Sequence, residues 1–202
     1  MSKNVAIAKY KSIKIKKEKN ILLTMKAIAF TGMPGAGKTE AVKVAKEMGI
    51  RVISMGDEVR EETRKRGLEI NDENLGKIAD EMRKKHGMNI WAKKCLRKIE
   101  MMEDKIIVID GIRNIEEVET FRNKIENFIL VAIHASPSTR YNRLIKRGRK
   151  DDSIKIEDLK RREKRELAWG VGNVIAMADI IVINENSLEK FKEKIREILI
   201  TL

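Results

Sequence analysis

A parallel sheet of five strands, doubly wound with helices on both faces, is the α/β architecture this chain should adopt, and three features argue for it. Short runs rich in Ile and Val recur along the sequence, each bounded by polar residues or Gly. Longer stretches with apolar residues at helical spacing separate them, as parallel strands require, because each must be joined to the next by a crossover. The length of 202 residues suits one α/β domain with an inserted lid and is short for two.

Strands are expected at 26–31, 51–54, 105–109, 127–133 and 179–183, with helices between them such as 38–48 and 72–86. The last helix is the clearest, because Leu188, Phe191, Ile195, Ile198, Leu199 and Leu202 fall on one face with Lys and Glu between. Residues 1–24 carry seven Lys and one Glu without a helical stripe and read as a disordered basic arm. Residues 25–202 then make up the domain itself.

Composition narrows the function. Apolar residues at 42% and charged residues at 37% exclude wholesale disorder. The longest apolar runs fall far short of the roughly 20 residues a membrane span needs, and Lys stands where a signal peptide would be apolar. A lone cysteine, Cys95, can neither close a disulfide within the chain nor build a thiolate zinc site, so a cytoplasmic location is expected. The net charge of +13 admits nucleic acid as a partner, yet about half of it lies on the arm. An aromatic content of 4% argues against a stacking platform for single strands.

The strongest local signal follows the first strand. Gly32-Met-Pro-Gly-Ala-Gly-Lys-Thr39 has the Gly-x-x-x-x-Gly-Lys-Ser/Thr spacing and leads into a helix. Gly32, Gly35 and Gly37 allow a backbone curl whose N–H groups converge on phosphate oxygens, and the helix N-terminus adds partial positive charge. Residues Pro34, Ala36 and Glu40 complete the nucleotide-binding stretch. Lys38 supplies a point charge for the β and γ phosphates, and the Thr39 hydroxyl is placed to join a Mg²⁺ shell. Asp110, after four apolar strand residues, has the setting of a carboxylate that holds Mg²⁺ directly or through water.

Two further segments, Ile53-Ser-Met-Gly-Asp-Glu-Val-Arg60 and Ile107-Val-Ile-Asp-Gly-Ile-Arg113, resemble the acceptor motifs of the P-loop nucleoside monophosphate kinases related to adenylate kinase. The resemblance implies that Arg60 and Arg113 grip the acceptor's phosphate, a task suited to planar, permanently charged guanidinium groups. Arg143-Leu-Ile-Lys-Arg147-Gly-Arg149-Lys-Asp-Asp152, followed by Arg161, Arg162 and Arg165, is similar to a short adenylate kinase lid. Arg143, Arg147 and Arg149 would then close over the transferring group, stabilise its charge and exclude water. On this resemblance the acceptor-binding helices span about 56–104 and the lid about 143–165.

Ala178-Asp-Ile-Ile-Val-Ile-Asn-Glu-Asn-Ser187 resembles the tail of dephospho-coenzyme A kinases, which implies that Asn184 lies near the donor's adenine. As a whole the chain resembles an archaeal family of adenylate-kinase-related, dephospho-coenzyme-A-kinase-like proteins. Met55 stands where adenylate kinases place a Thr that reads AMP, and the chain contains no Gln, so the resemblance does not extend to AMP as acceptor.

Together these features imply an ATP- and Mg²⁺-dependent enzyme that moves the γ-phosphoryl group to a small phosphorylated acceptor, most simply a nucleotide. Transfer to a ribose hydroxyl is the alternative, with Asp57 as the available carboxylate base; Asp57 is equally explained as an N-terminal helix carboxylate. An ATP-gated module binding RNA or protein through the basic arm is the reading from another class. Trp91 and Met82, Met88, Met101 and Met102 read as packing, and His86 and His134 have no ligand partners at useful spacing.

Overall fold

The computed structural model describes residues 22, 24–147 and 155–202. Its strands are β1 (Lys26–Thr31), β2 (Arg51–Ser54), β3 (Ile106–Asp110), β4 (Asn127–His134) and β5 (Ile180–Ile183), paired in the order β2-β3-β1-β4-β5. Every pairing is parallel, which makes this the doubly wound sheet that the sequence implies. The expected basic arm and the lid segment around Arg149 lie outside the described residues, apart from Leu22, which is buried in the core, and Thr24.

Strand alternation divides the core in two. Ala27 and Ala29 of β1, Ile107 and Ile109 of β3 and Leu130 of β4 face one layer; Ile28, Phe30, Val108, Val131 and Ile133 face the other. The second layer is closed by α1 (Lys38–Glu47), through Ala41, Val44 and Ala45, and by α9 (Leu188–Thr201), through Phe191, Ile195 and Ile198. The first is closed by α4 (Ile90–Ile99), α5 (Ile115–Arg122) and α8 (Val171–Ala176), with Trp91, Phe121 and Val174 fully buried. Cys95 lies in that layer, where burial pushes its thiol well up from the ordinary value and removes it from redox chemistry.

The third strand begins one residue later than the sequence pattern indicates and includes Asp110. Register decides this: Asp110 pairs with Phe30 on one side and Ser54 on the other, so two neighbours hold it in extended geometry. The remaining helices are α2 (Met55–Lys65), α3 (Asp72–His86), α6 (Pro137–Arg147) and α7 (Ile156–Trp169). Asn71 and Asn114 start α3 and α5 by accepting hydrogen bonds from Asn74 N at 2.9 Å and Glu117 N at 2.8 Å. Packing accounts for Met82 and Trp91 and partly for Met88 and Met102, whereas Met101, at 82% exposure after the end of α4, packs on nothing.

Beneath the site Glu117 is fully buried. Its carboxylate accepts from Arg83 Nη2 at 2.9 Å and from the Arg113 backbone N–H at 2.7 Å, fixing the turn after β3. Removing one member of such a pair strands a buried charge. Glu117→Ala is therefore expected to lower the unfolding free energy by about 3–5 kcal/mol in urea titrations. The double variant Glu117→Leu with Arg83→Met should recover only part of this, because the Arg113 N–H remains unpaired; a neutral single variant would refute the assignment.

Candidate active site

All the chemistry lies where strands β1 and β3 end side by side. Here the chain leaves β1 into the glycine loop and re-enters α1, and three glycines with positive φ (138° at Gly32, 80° at Gly35, 122° at Gly37) shape the curl. Space as well as φ demands glycine at two of them. A Cβ on Gly32 would stand 2.2 Å from the Ile133 carbonyl oxygen, and one on Gly35 2.6 Å from the Arg140 carbonyl oxygen. The loop is thus pressed directly against β4 and α6.

Within the curl the Lys38 ammonium donates to the carbonyl oxygens of Gly32 and, at 3.0 Å, Met33. Among the described residues it makes no ion pair with a carboxylate. Burial, reinforced by Arg113 and only partly offset by Glu166 and Asp110, pulls the Lys38 ammonium down to about 7. Asp110 receives a hydrogen bond from Ser54 Oγ at 3.4 Å on one oxygen, while its buried Oδ1 has no partner. Thr39 is reached by Arg147 Nη1 at 3.5 Å.

These groups open onto one cavity of about 510 Å³. Of the sequence-derived residues, Pro34, Gly35, Gly37, Lys38, Thr39 and Glu40 line it from the loop; Arg60, Asp110, Arg113, Arg143, Arg147 and Asn184 line it from other elements. Gly32 and Ala36 are buried beneath it, where the Ala36 carbonyl accepts from Asn184 Nδ2 at 2.8 Å. Arg143 Nη2 in turn donates to Asn184 Oδ1 at 3.4 Å. Arg149 lies outside the described residues. Asp57 is exposed, pairs with Arg60 at 3.2 Å and does not line the cavity, so the structure leaves it as a helix N-terminal carboxylate.

Helix α7 brings residues that motif spacing did not single out. Glu166, at 3% exposure, lies within 2.9 Å of Arg113 Nε and 3.2 Å of Arg162 Nε. Burial pushes this carboxyl up, but Arg113, Arg162 and Lys38 outweigh it and hold it down at about 2. Asp72 of α3 accepts both hydrogen bonds of Arg165 Nη2 at 2.9 Å and lies 3.4 Å from Arg162. The Trp169 indole N–H donates to Asp80 at 2.7 Å, and Arg83 and Arg165 both lie against its ring. The Arg165 guanidinium fits over Gly76, where a Cβ would come within 2.7 Å of it, so the mid-helix glycine accommodates α7. Arg161, in contrast, pairs with Asp158 on the outer surface.

The donor set suits magnesium. Among the described residues no cluster of three or more His, Cys, Asp or Glu could hold a metal unaided. Thr39 and the unpartnered Asp110 oxygen provide the one or two protein oxygens a Mg²⁺ ion uses when phosphates and water fill the remaining positions.

A family model described as AAA domain matches residues 31–160. A UPF0200 protein of Methanosarcina barkeri is 47% identical over 176 residues, covering 87% of this chain and 95% of that one. A UPF0200/UPF0201 protein of Archaeoglobus fulgidus is 48% identical over 185 residues, covering 90% of this chain and 57% of that longer one, so this chain spans little more than half of it. Among solved structures, shikimate kinase from Acinetobacter baumannii in complex with shikimate has a TM-score of 0.55 over 91% of this chain and 97% of that chain. At 16% identity this is a likeness of fold. No helix among the described residues is long and apolar enough to cross a membrane.

The depressed Lys38 has a measurable consequence. At about pH 8.5 the empty site holds it largely neutral, and a triphosphate in the curl restores the proton, so nucleotide binding should take up about one proton. The uptake should fade below about pH 6, where Lys38 is charged in both states. Calorimetry in buffers of different ionisation enthalpy reads this directly; uptake that persists undiminished in Lys38→Met would show that another group is responsible.

Proposed function

The chain belongs to the UPF0200 family and carries its AAA-type P-loop domain, and from that premise we propose that it is a Mg²⁺- and ATP-dependent phosphotransferase acting on a small phosphorylated acceptor, a nucleotide in the simplest case. One observation carries the reading. A phosphate curl, an unpartnered carboxylate oxygen and guanidinium groups from α2, the β3 turn, α6 and α7 converge on a single cavity.

In this reading the loop N–H groups and Lys38 hold the β and γ phosphates of ATP, with Arg143 and Arg147 above them. Thr39 and Asp110 would hold magnesium, which would neutralise charge on the phosphates. Arg60 and Arg113 orient the acceptor so that its oxygen attacks the γ phosphorus in line, and ADP leaves as that bond breaks. Charge develops on the equatorial oxygens, and the cations already fixed around them need little reorganisation. Helix α7 over the cavity limits water, which would otherwise compete for the phosphoryl group.

An acceptor phosphate needs no base, and this suits the cavity. Asp57, the base foreseen for a hydroxyl acceptor, points to solvent, and Glu166 is held too acidic by its arginines to take a proton at neutral pH. Met55 lines the acceptor side where a Thr would read adenine, which disfavours AMP within the class.

The deciding experiment incubates the protein with Mg·ATP and a panel of nucleoside monophosphates together with dephospho-coenzyme A. A phosphorylated nucleotide is expected, and Arg147→Ala should lower kcat by about 10²–10³-fold while weakening Mg·ATP binding by a much smaller factor. Phosphorylation of dephospho-coenzyme A alone would move the assignment to hydroxyl transfer. Slow ATP hydrolysis with every acceptor untouched would replace the kinase by an ATP-gated binding module.

A further inference from the structure

The cations around the cavity are satisfied in two different ways. On the donor side Lys38 donates to backbone carbonyls, and among the described residues the hydrogen bond of Arg143 goes to the Asn184 amide while its buried Nη1 has no partner. These charges meet neutral oxygens, as befits a site awaiting a polyanion. On the acceptor side two arginines approach the two oxygens of one buried carboxylate: Arg162 Nε donates to Glu166 Oε1 at 3.2 Å, and Arg113 Nε lies 2.9 Å from Oε2 as a charge contact without hydrogen-bond alignment.

Nothing in the proposed transfer calls for a carboxylate there. Its negative charge would repel an incoming phosphate, and its burial is costly unless both guanidinium groups attend it. Two arginines sharing two oxygens of a planar anion is also the arrangement in which they would share two oxygens of a phosphate. Lys38 feels repulsion from Arg113 and Arg162 and attraction from Glu166, which puts the cluster on the Lys38 side of the cavity.

We propose that Glu166 is a placeholder: in the acceptor-free protein it occupies Arg113 and Arg162 in the manner of the acceptor's anionic group, which takes these guanidinium groups over on binding. The inference rests on the phosphorylated-acceptor reading above and goes further, because it names a positioning residue that works against binding. Without acceptor, Glu166 neutralises both arginines. With acceptor, they hold its anionic group instead. The affinity given up in this exchange makes assembly of the clamp dependent on the correct anion.

The test uses the full chain saturated with Mg²⁺ and the β,γ-imido analogue of ATP, so that the donor site is filled, and titrates inorganic phosphate by calorimetry. Glu166→Gln preserves shape and removes the charge, and it should tighten phosphate binding by at least about tenfold. A glutamate that acts on the anion only through its charge would tighten binding in Glu166→Gln but leave it unchanged in Glu166→Asp, so tightening in both variants separates the placeholder from plain repulsion. Glu166→Asp keeps the charge but is one methylene too short to span both arginines; it should tighten binding by a smaller factor, and it decides the matter should the Gln variant fold poorly. Unchanged or weaker phosphate binding in the folded variant overturns the placeholder. Failure of the wild-type protein to bind the ATP analogue, or binding indifferent to Lys38→Ala, would instead overturn the phosphotransferase reading on which it stands.

Discussion

The contact on which the rest depends is the approach of the Gly32 backbone to the Ile133 carbonyl of β4. No side chain fits between them, so the loop leaving β1 is pressed onto the neighbouring strand and has one path to α1. That path turns the Lys38 ammonium inward onto the carbonyls of its own loop and puts Thr39 on the first turn of the helix. The parallel register then supplies the opposite wall: Phe30 pairs with Asp110, so the strand bearing the carboxylate ends level with the strand bearing the loop. Two backbone constraints thus bring the cation and the unpartnered oxygen to one mouth before any side-chain contact is considered.

Much of this was legible in the sequence because it is local. The glycine motif, the strand before it and the helix after it share a short segment, and the motif's chemistry prescribes its own neighbours. The strands at 26–31 and 51–54 were fixed by apolar runs with clear polar boundaries and stand where the sequence puts them. Asp110 was legible as a site residue but not as a strand residue, since a charged side chain ends an apolar pattern while the ladder to both neighbours continues.

The lid partnership was not legible, for the opposite reason. Glu166 lies in a run of alternating Arg, Lys and Glu that, read along the helix, resembles any solvated face. Only the approach of Arg113, far away in sequence, distinguishes it from Glu163, which holds Arg140 and Tyr141 instead. Asp72 and Gly76 likewise have the spacing of an ordinary helix start and a neutral interior glycine; their meaning comes from Arg165, which lies between them in space. Asp57 is the converse. Its sequence setting allows either a catalytic or a helix N-terminal role; in the structure it is exposed in the first turn of α2, where Ser54 holds the N-cap position, and it pairs with Arg60.

The way the lid is held bears on how it could work. Helix α7 meets α3 through ion pairs and an aromatic stack, Arg165 with Asp72 and Trp169 with Asp80 and Arg83, and it also buries Leu159 and Glu166. Its largest apolar residue facing outward, Leu167, is half exposed. Polar contacts at a partly hydrated edge contribute little net stability each and can be exchanged for others at small cost, whereas a dry apolar seam would resist opening. On α7 the Arg165 and Trp169 contacts are therefore the ones exchanged at small cost, whereas Leu159 and Glu166 are buried and resist displacement. The same reasoning explains why the deeply buried pair, Arg83 with Glu117, lies one layer below: it fixes the floor and the β3 turn, so that motion above it leaves Arg113 N and Asp110 in register.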